Sequence, residues 1–410
     1  MKQTRPWAAF TITQKAERSL LNGHPWVYDT EITAAPDTLP QTGEIVDVFN
    51  HKGSWLGAGF YSPESKIRVR IVSRNANDRM DENFWRRRLQ YAWNYRKEIL
   101  SEQELTNCRI VFGEADSLPG LTVDRFQDVL VTQTLSVGIE RLKPLLFPML
   151  VEILRQDGQE IRGIYERNDV ALRAREGLEE NKGWYPLDGR TDFGETITEI
   201  CENGVFYHVD FENGQKTGFF LDQKYNRQAV ARIAKGKKVL DCFTHTGSFA
   251  LNAAYGGAAH VTAVDVSQTA VDMAHRNAVR NGLDDRMDFV CENVFELLPR
   301  LEKEGCDYDF IILDPPAFTK SRKTTQNAMR GYKEINYRAM KLLPRGGYLA
   351  TASCSHFASE ELFKKMLASA AADAHRSLRQ IEARQQSPDH PILWNVDETD
   401  YLKFFLFQVI

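Results

Sequence analysis

The sequence is poor in long apolar runs. None approaches the ~18 residues that a membrane-spanning helix requires, which excludes an ordinary helical membrane protein. The N-terminal stretch MKQTRPWAAFTITQKAERSL lacks the apolar core of a secretory signal. Cysteine is sparse: six residues, at 108, 201, 242, 291, 306 and 354, lie far apart with no Cys-x-x-Cys pair. That spacing speaks against a zinc centre or a disulfide framework, so no metal and no membrane partner is expected, and it fits a reducing cytoplasm. Internal repeats and low-complexity tracts are missing. A composition that is 42% hydrophobic and 26% charged excludes a disordered chain, and 410 residues are enough for two or three domains.

The net charge of −4 hides an uneven distribution. Residues 66–97 hold ten Lys/Arg against three Asp/Glu, and residues 319–345 hold eight against one, so each stretch carries +7. The other 351 residues then carry −18. An acidic chain with two basic stretches can turn one face toward a polyanion, although each stretch taken alone reads equally well as a solvated helix face. The first stretch contains Arg86, Arg87 and Arg88 among Phe84, Trp85, Tyr91, Trp93 and Tyr95; the second begins at Lys320. These arginines and Lys320 are candidate contacts to such a polyanion.

The hydrophobic pattern divides the chain at about 75 and 190. Residues 1–75 alternate apolar and polar positions around His51-Lys52-Gly53 and Ser62-Pro63, the pattern of a small all-β domain. Residues 76–190 mix helical and strand signals and read as an α+β middle domain. Residues 191–410 open with a hairpin turning at Asn203-Gly204. Apolar strands KVLDCF, HVTAVDV, MDFVCE, YDFIILD and GYLATASC then alternate with helix-length segments. That alternation predicts an α/β domain with a doubly wound, mostly parallel sheet.

Ligands of such sheets bind beyond the carboxyl ends of the strands. The first strand ends in DCFTHTGSF, where a dinucleotide enzyme would need Gly-x-Gly-x-x-Gly. Only Gly247 is present; Phe243 and His245 stand in glycine-like places, and the Asp241 carboxylate disfavours a phosphate. A carboxylate there suits a cofactor with a cationic amino-acid end. Asp265 ends the second strand, where an acid can accept from ribose hydroxyls. Asn293 follows the third strand and could read an adenine edge. Ribose and adenine recognition without a phosphate cradle points to S-adenosylmethionine, although each of these residues also reads as an ordinary strand-end cap.

The fourth strand ends Asp314-Pro315-Pro316-Ala317-Phe318, and two prolines cannot continue a central strand. They stiffen the chain around Asp314 and present Phe318 as a platform for a planar base. The fifth strand ends TASCSH, which brings Cys354 to the same sheet edge. Carbon 5 of cytosine is a poor nucleophile. A thiolate adding to carbon 6 makes carbon 5 enamine-like, so it can accept a methyl group. Cys242 and Cys291 read as core residues.

The strings ERSLLNGHPWVYDTEI, EADSLPGLTVDRF, ERNDVALRAREGL, GQKTGFFLDQKYNR, DCFTHTGSF, DPPAF and SCSH spread over nearly the whole chain. Together they resemble the bacterial large-subunit ribosomal RNA cytosine-carbon-5 methyltransferases that carry an N-terminal PUA-like domain. GQKTGFFLDQKYNR is the most distinctive. The resemblance implies an RNA-binding first domain, a mixed middle domain and a Rossmann-like class I methyltransferase domain acting on 23S ribosomal RNA. It places Gln215, Lys216, Gly218, Phe219 and Phe220 around the cofactor with Asp241, Asp265, Asn293 and Asp314, and makes Cys354 the nucleophile. Many related RNA methyltransferases carry a second cysteine where this chain has Ala317, so the base that removes the carbon-5 proton is not identified. His356 and Asp314 are both close to Cys354 in the expected layout. A base-nitrogen methyltransferase, which would not need Cys354, and a non-catalytic ribosome-assembly protein are the alternative readings. The oligomeric state, a homodimer included, is left open.

Overall fold

The computed structural model describes residues 5–319 and 324–410. The chain forms two compact units. The first runs to Ile200 and takes in Val209–Leu221 and Pro388–Thr399; the second holds Cys201–His208, Asp222–Ser387 and Asp400–Ile410.

The first unit begins with strands β1 (Ala8–Ile12), β2 (Trp26–Tyr28), β3 (Ile32–Ala34), β4 (Ile45–Phe49), β5 (Trp55–Tyr61) and β6 (Ile67–Ser73) in one sheet of order β2-β6-β5-β4-β1-β3. Alternation sends Phe10 and Ile12 of β1, Val46 and Val48 of β4, and Val69 and Ile71 of β6 into one core. This β-domain also carries an α-helix, α1 (Gln14–Leu21), started by Thr13, whose hydroxyl accepts from the Ala16 amide at 3.2 Å. The expected turn at His51-Lys52-Gly53 is held by Asn50, whose side-chain oxygen accepts from the amides of Lys52 and Ser54 at 3.0 and 2.8 Å.

The same unit continues with α2 (Glu82–Ile99), β7 (Asn107–Phe112), β8 (Leu121–Phe126), β9 (Val129–Thr134), α3 (Val137–Gln156), β10 (Gly163–Arg167) and β11 (Lys182–Trp184). The five strands form a sheet of order β11-β10-β9-β8-β7. α3 is the crossover that lets β9 and β10 pair in parallel. Asp81 caps α2, accepting from the Phe84 amide at 2.9 Å. The buried stripe of α2 is Phe84, Trp85, Leu89, Ala92, Trp93 and Arg96. Three of the aromatics that the sequence interleaves with arginines are therefore core, and only Tyr91 and Tyr95 face solvent.

A hairpin of β12 (Ile197–Glu202) and β13 (Val205–Asp210) follows, with Asn203 and Gly204 at φ 55° and 82° as a type I′ turn demands.

The second unit contains α4 (Lys224–Ala234), β14 (Lys238–Cys242), α5 (Ser248–Tyr255), β15 (His260–Asp265), α6 (Gln268–Asn281), β16 (Met287–Cys291), α7 (Val294–Glu304), β17 (Phe310–Leu313), α8 (Thr325–Leu342), β18 (Tyr348–Ser353), α9 (Glu360–Asp373), β19 (Leu378–Arg384) and β20 (Lys403–Val409). The sheet order is β16-β15-β14-β17-β18-β20-β19. β14 to β18 are mutually parallel, while β20 inserts antiparallel between β18 and β19. α4 packs on α5, and α7 and α9 pack on α8, giving the sheet its helical layers. The order reverses at β14 and β17, so the crevice of a doubly wound fold opens at their carboxyl ends. β19 and β20 were not anticipated. KFFLFQV is an unbroken apolar run, and periodicity cannot say where such a run inserts. No helix among the described residues is long and apolar enough to cross a membrane.

Candidate active site

Reading across the sheet, the carboxyl edge presents Asn293 after β16, Asp265 at the end of β15, Asp241 near the end of β14, Asp314 after β17 and Cys354 after β18. Five residues scattered over more than a hundred positions thus share one edge, because parallel strands all end on the same side.

The turn after β14 is strained. Phe243 and His245 have φ of 66° and 51°, a left-handed conformation that costs a non-glycine residue ~1–3 kcal/mol. Local hydrogen bonds hold it. The Thr244 amide donates to the Val264 carbonyl at 2.8 Å, and the His245 amide to Asp265 Oδ2 at 2.9 Å. Gly247 closes the turn at φ 85°, where a Cβ would sit 3.0 Å from the Cβ of Ala274 on α6. Burial pushes the half-buried His245 imidazole down to about 4, with Asp265 opposing and Arg227 adding to the shift, so the ring is neutral near pH 7.

Asp241 is fully buried. Its Oδ2 accepts from the Thr244 hydroxyl at 2.6 Å and the Ala250 amide at 2.9 Å. Its Oδ1 has no hydrogen-bond partner among the described residues. Burial raises its carboxyl to about 8; the Thr244 and Ala250 donors oppose this and Asp314 and Asp265 add to it. A buried carboxylate oxygen without a donor fits a ligand that brings a cation or an N–H. Asp265 accepts from His245 and, through Oδ1, from the Ser267 amide at 3.0 Å. Each oxygen keeps a lone pair for a ribose hydroxyl, and the two amides fix the carboxylate's orientation. Asn293 caps α7, accepting from the Phe295 amide at 3.0 Å, and its own amide group remains at the surface. Val266 and Phe295 expose 74% and 40% of their surface beside these polar residues. Apolar side chains left open next to ribose- and base-reading groups suit a purine ring. Sequence reasoning missed both, since an exposed valine is visible only after folding. These residues fit S-adenosylmethionine, with its cationic amino-acid end, ribose and adenine.

Asp314 is half-buried and accepts from Gln223 Nε2 at 3.0 Å; Gln223 is in turn gripped by Asn226 at 2.6 Å. Both orienting residues were overlooked, although they lie in the distinctive string GQKTGFFLDQKYNR. Leu313 pairs in register with Thr351, so Asp314 and Cys354 leave adjacent strands. The two strand-end loops are tied by the Ser355 hydroxyl, which donates to the Thr319 carbonyl at 3.1 Å, and the Ser353 hydroxyl ties the end of β18 to α8 by donating to the Tyr332 hydroxyl at 3.1 Å. Cys354 is half-buried and His356 exposed. Cys242 is buried as expected, but Cys291 is exposed at the end of β16, a correction. Its place on the edge strand β16 leaves the residue exposed, with the thiol donating to the Val266 carbonyl at 3.4 Å. Phe318 sits in an aromatic group with Phe243, Phe295 and Tyr332, at centroid distances of 6.4, 5.8 and 4.6 Å. Its ring is therefore partly committed to packing.

Gln215, Lys216, Gly218, Phe219 and Phe220 belong to the first unit. Their loop is anchored by Thr217, which donates to the buried Asp124 at 2.6 Å, and by the Gly218 amide, which donates to the Gln215 carbonyl at 2.8 Å. Gln215 and Lys216 are exposed, and the Lys216 ammonium lies 4.8 Å from the Phe220 ring centroid.

The three arginines of α2 behave differently from one another. Arg86 pairs with Glu152 at 2.9 Å. Arg88 donates to the Val72 carbonyl at 3.1 Å and lies over Phe84. Only Arg87 projects a weakly held charge, with Asp78 at 3.9 Å. Lys320 lies outside the described residues.

Comparison with known proteins agrees with this geometry. Residues 188–408 match the S-adenosylmethionine-dependent methyltransferase family, and residues 10–74 match the PUA-like domain. The chain is 40% identical over 400 residues to the ribosomal RNA large subunit methyltransferase I of Klebsiella pneumoniae, covering 97% of this chain and 98% of that protein. It is 44% identical over 394 residues to the protein of the same name from Shewanella denitrificans, covering 96% and 97%. A solved structure from Streptococcus mutans is similar in fold, with a TM-score of 0.81 at 20% identity over 98% of this chain and 99% of that one. The chain belongs to the S-adenosylmethionine-dependent methyltransferases with an N-terminal PUA-like domain, the family of ribosomal RNA large subunit methyltransferase I.

Proposed function

We propose that this enzyme methylates carbon 5 of a cytosine in large-subunit ribosomal RNA, in the cytoplasm, with Cys354 as a covalent nucleophile. The names of its relatives support the ribosomal RNA substrate. The observation that supports the chemistry is that Asp314 and Cys354 follow adjacent parallel strands, in loops tied together through Ser355 and Thr319.

Asp241, Phe243, Gly247, Asp265 and Asn293 hold the cofactor in this reading; the assignment of Gln215, Lys216, Gly218, Phe219 and Phe220 to it rests on the family's pattern. When bound, S-adenosylmethionine supplies an electrophilic methyl group. Cys354 adds as thiolate to carbon 6 of the base, forming a carbon–sulfur bond and moving the ring's electrons toward carbon 5. Asp314, aimed by Gln223, contacts the ring nitrogen and amino group and fixes the base against the thiol. Once carbon 5 is substituted, its proton leaves to a base not yet identified, the carbon–sulfur bond breaks, and the thiolate is regenerated. Phe318 and the aromatic group around it wall the base. The PUA-like portion, Arg87 and Lys320 contact the RNA backbone.

The test is Cys354→Ala together with RNA carrying 5-fluorocytosine. The variant should fold and bind cofactor yet fail to transfer methyl. The wild type should form a denaturation-resistant adduct, because fluorine cannot leave as the proton does. Turnover by Cys354→Ala with no adduct in the wild type would move the reaction to a base nitrogen.

A further inference from the structure

Lys403 opens β20, and its Cα pairs in register with Ser353, the residue before Cys354. The antiparallel direction of β20 puts it there: the first residue of β20 lies at the edge where β14 to β18 end. The side chain is buried. Its ammonium donates to the carbonyl oxygens of Ser355 at 2.7 Å and Tyr401 at 2.8 Å. Lys403 therefore straddles the cysteine, pairing by its backbone with the residue before it and hydrogen-bonding the residue after it.

This is an unusual place for a lysine. Its ammonium is hydrogen-bonded to two neutral carbonyls, and burial disfavours the charged form. A structural clamp could have used a neutral donor. The groups acting on the charge are Asp400, Cys354 and Glu360, all of which favour it and oppose the burial that pushes the ammonium down to about 8. The other titratable groups around Cys354 are the Tyr332 phenol, raised to about 12 by burial, the Asp314 carboxylate and the exposed His356, two residues on. Among these groups Lys403 is the one whose charge favours a thiolate at Cys354 across the neutral pH range.

We propose that Lys403 is a positioning residue for the nucleophile: its ammonium, hung on the Ser355 carbonyl, holds the end of β18 in place and keeps Cys354 as thiolate. The proposal rests on the reading of Cys354 as nucleophile. A cation beside a cysteine lowers the thiol's pKa, and the thiolate is the reactive form.

The experiment is the pH dependence of iodoacetamide alkylation at the Cys354 peptide, followed by mass spectrometry on the full-length chain without RNA or cofactor. The exposed Cys291 serves as an internal reference. The wild-type midpoint at Cys354 should lie below the ordinary cysteine value of about 8.5. Lys403→Met should raise it by about one unit, making alkylation at pH 7 about tenfold slower, with Cys291 unaffected. Lys403→Arg should keep the low midpoint. A wild-type midpoint at or above the ordinary value, or equal midpoints in wild type and a folded Lys403→Met, would overturn the proposal. If Lys403→Met fails to fold, the wild-type midpoint and Lys403→Arg decide. Failure of the underlying reading looks different: Cys354→Ala would then turn over normally, whatever the alkylation profile.

Discussion

In the first unit Arg96 is fully buried, yet it donates to the Arg109 and Asp389 carbonyls at 2.7 and 2.8 Å and forms an ion pair with Asp116. Asp124 is equally buried, and it accepts from Arg109 through both oxygens and from Thr217. In the second unit Asp241 is as deeply buried, but one of its oxygens finds no donor among the described residues. The second unit can also close a buried pair: Arg227 on α4 and Glu202 at the end of β12, with side chains each 1% exposed, bond at 2.6 and 2.9 Å. Asp241 is not alone in this, since Glu176 Oε2 in the first unit also lacks a partner among the described residues; what sets Asp241 apart is its place at the carboxyl edge of the parallel sheet. Closed networks hold shape, whereas an incomplete one at the carboxyl edge of a parallel sheet leaves a place that a ligand can complete.

Four experiments sharpen that comparison. The largest effect is expected for Arg96→Met, which leaves the Asp116 carboxylate buried without its partner; unfolding by denaturant should show a loss of about 3–5 kcal/mol. Asp265→Ala comes next. It removes an acceptor for ribose and also the anchor of the His245 amide, so calorimetry should show cofactor affinity falling by about 1.5–3 kcal/mol for S-adenosylmethionine and for its demethylated product alike.

Asp241→Asn should weaken cofactor binding by about tenfold, ~1.4 kcal/mol, while acting on stability in the opposite sense. The folded carboxyl titrates at about 8, and the unfolded one near its ordinary value of about 3.9. The folded state thus holds a proton that the unfolded chain has released, and this group's contribution to stability falls as pH rises from about 4 to about 8. The melting temperature of Asp241→Asn relative to wild type should rise through that window. A constant difference would mean that Asp241 is already compensated. The smallest effect separates the arginines of α2: Arg87→Ala should reduce the salt slope of RNA binding by about one counterion, whereas Arg86→Ala should leave it unchanged because Glu152 already neutralises that side chain.

Features that depend on near neighbours could be read along the chain. Alternating runs with turn residues placed β14 to β18, and acids, prolines and a cysteine at their ends were readable as a site because parallel strands finish on one side. Asn203-Gly204 specified its own turn, since few residues accept positive φ twice in succession. Whether a residue faces inward or outward, and what stands next to it across the sheet, depends on long-range packing. Trp85 and Trp93 look like a basic aromatic surface in the sequence, but α2 turns them into the core and leaves Tyr91 outside. Arg86, Arg87 and Arg88 are identical in composition and differ only in what lies within reach. Gln223 meets Asp314 across 91 positions. Lys403 meets the Cys354 loop because β20 runs antiparallel beside β18, a long-range pairing whose register is set by which faces are buried rather than by any local pattern.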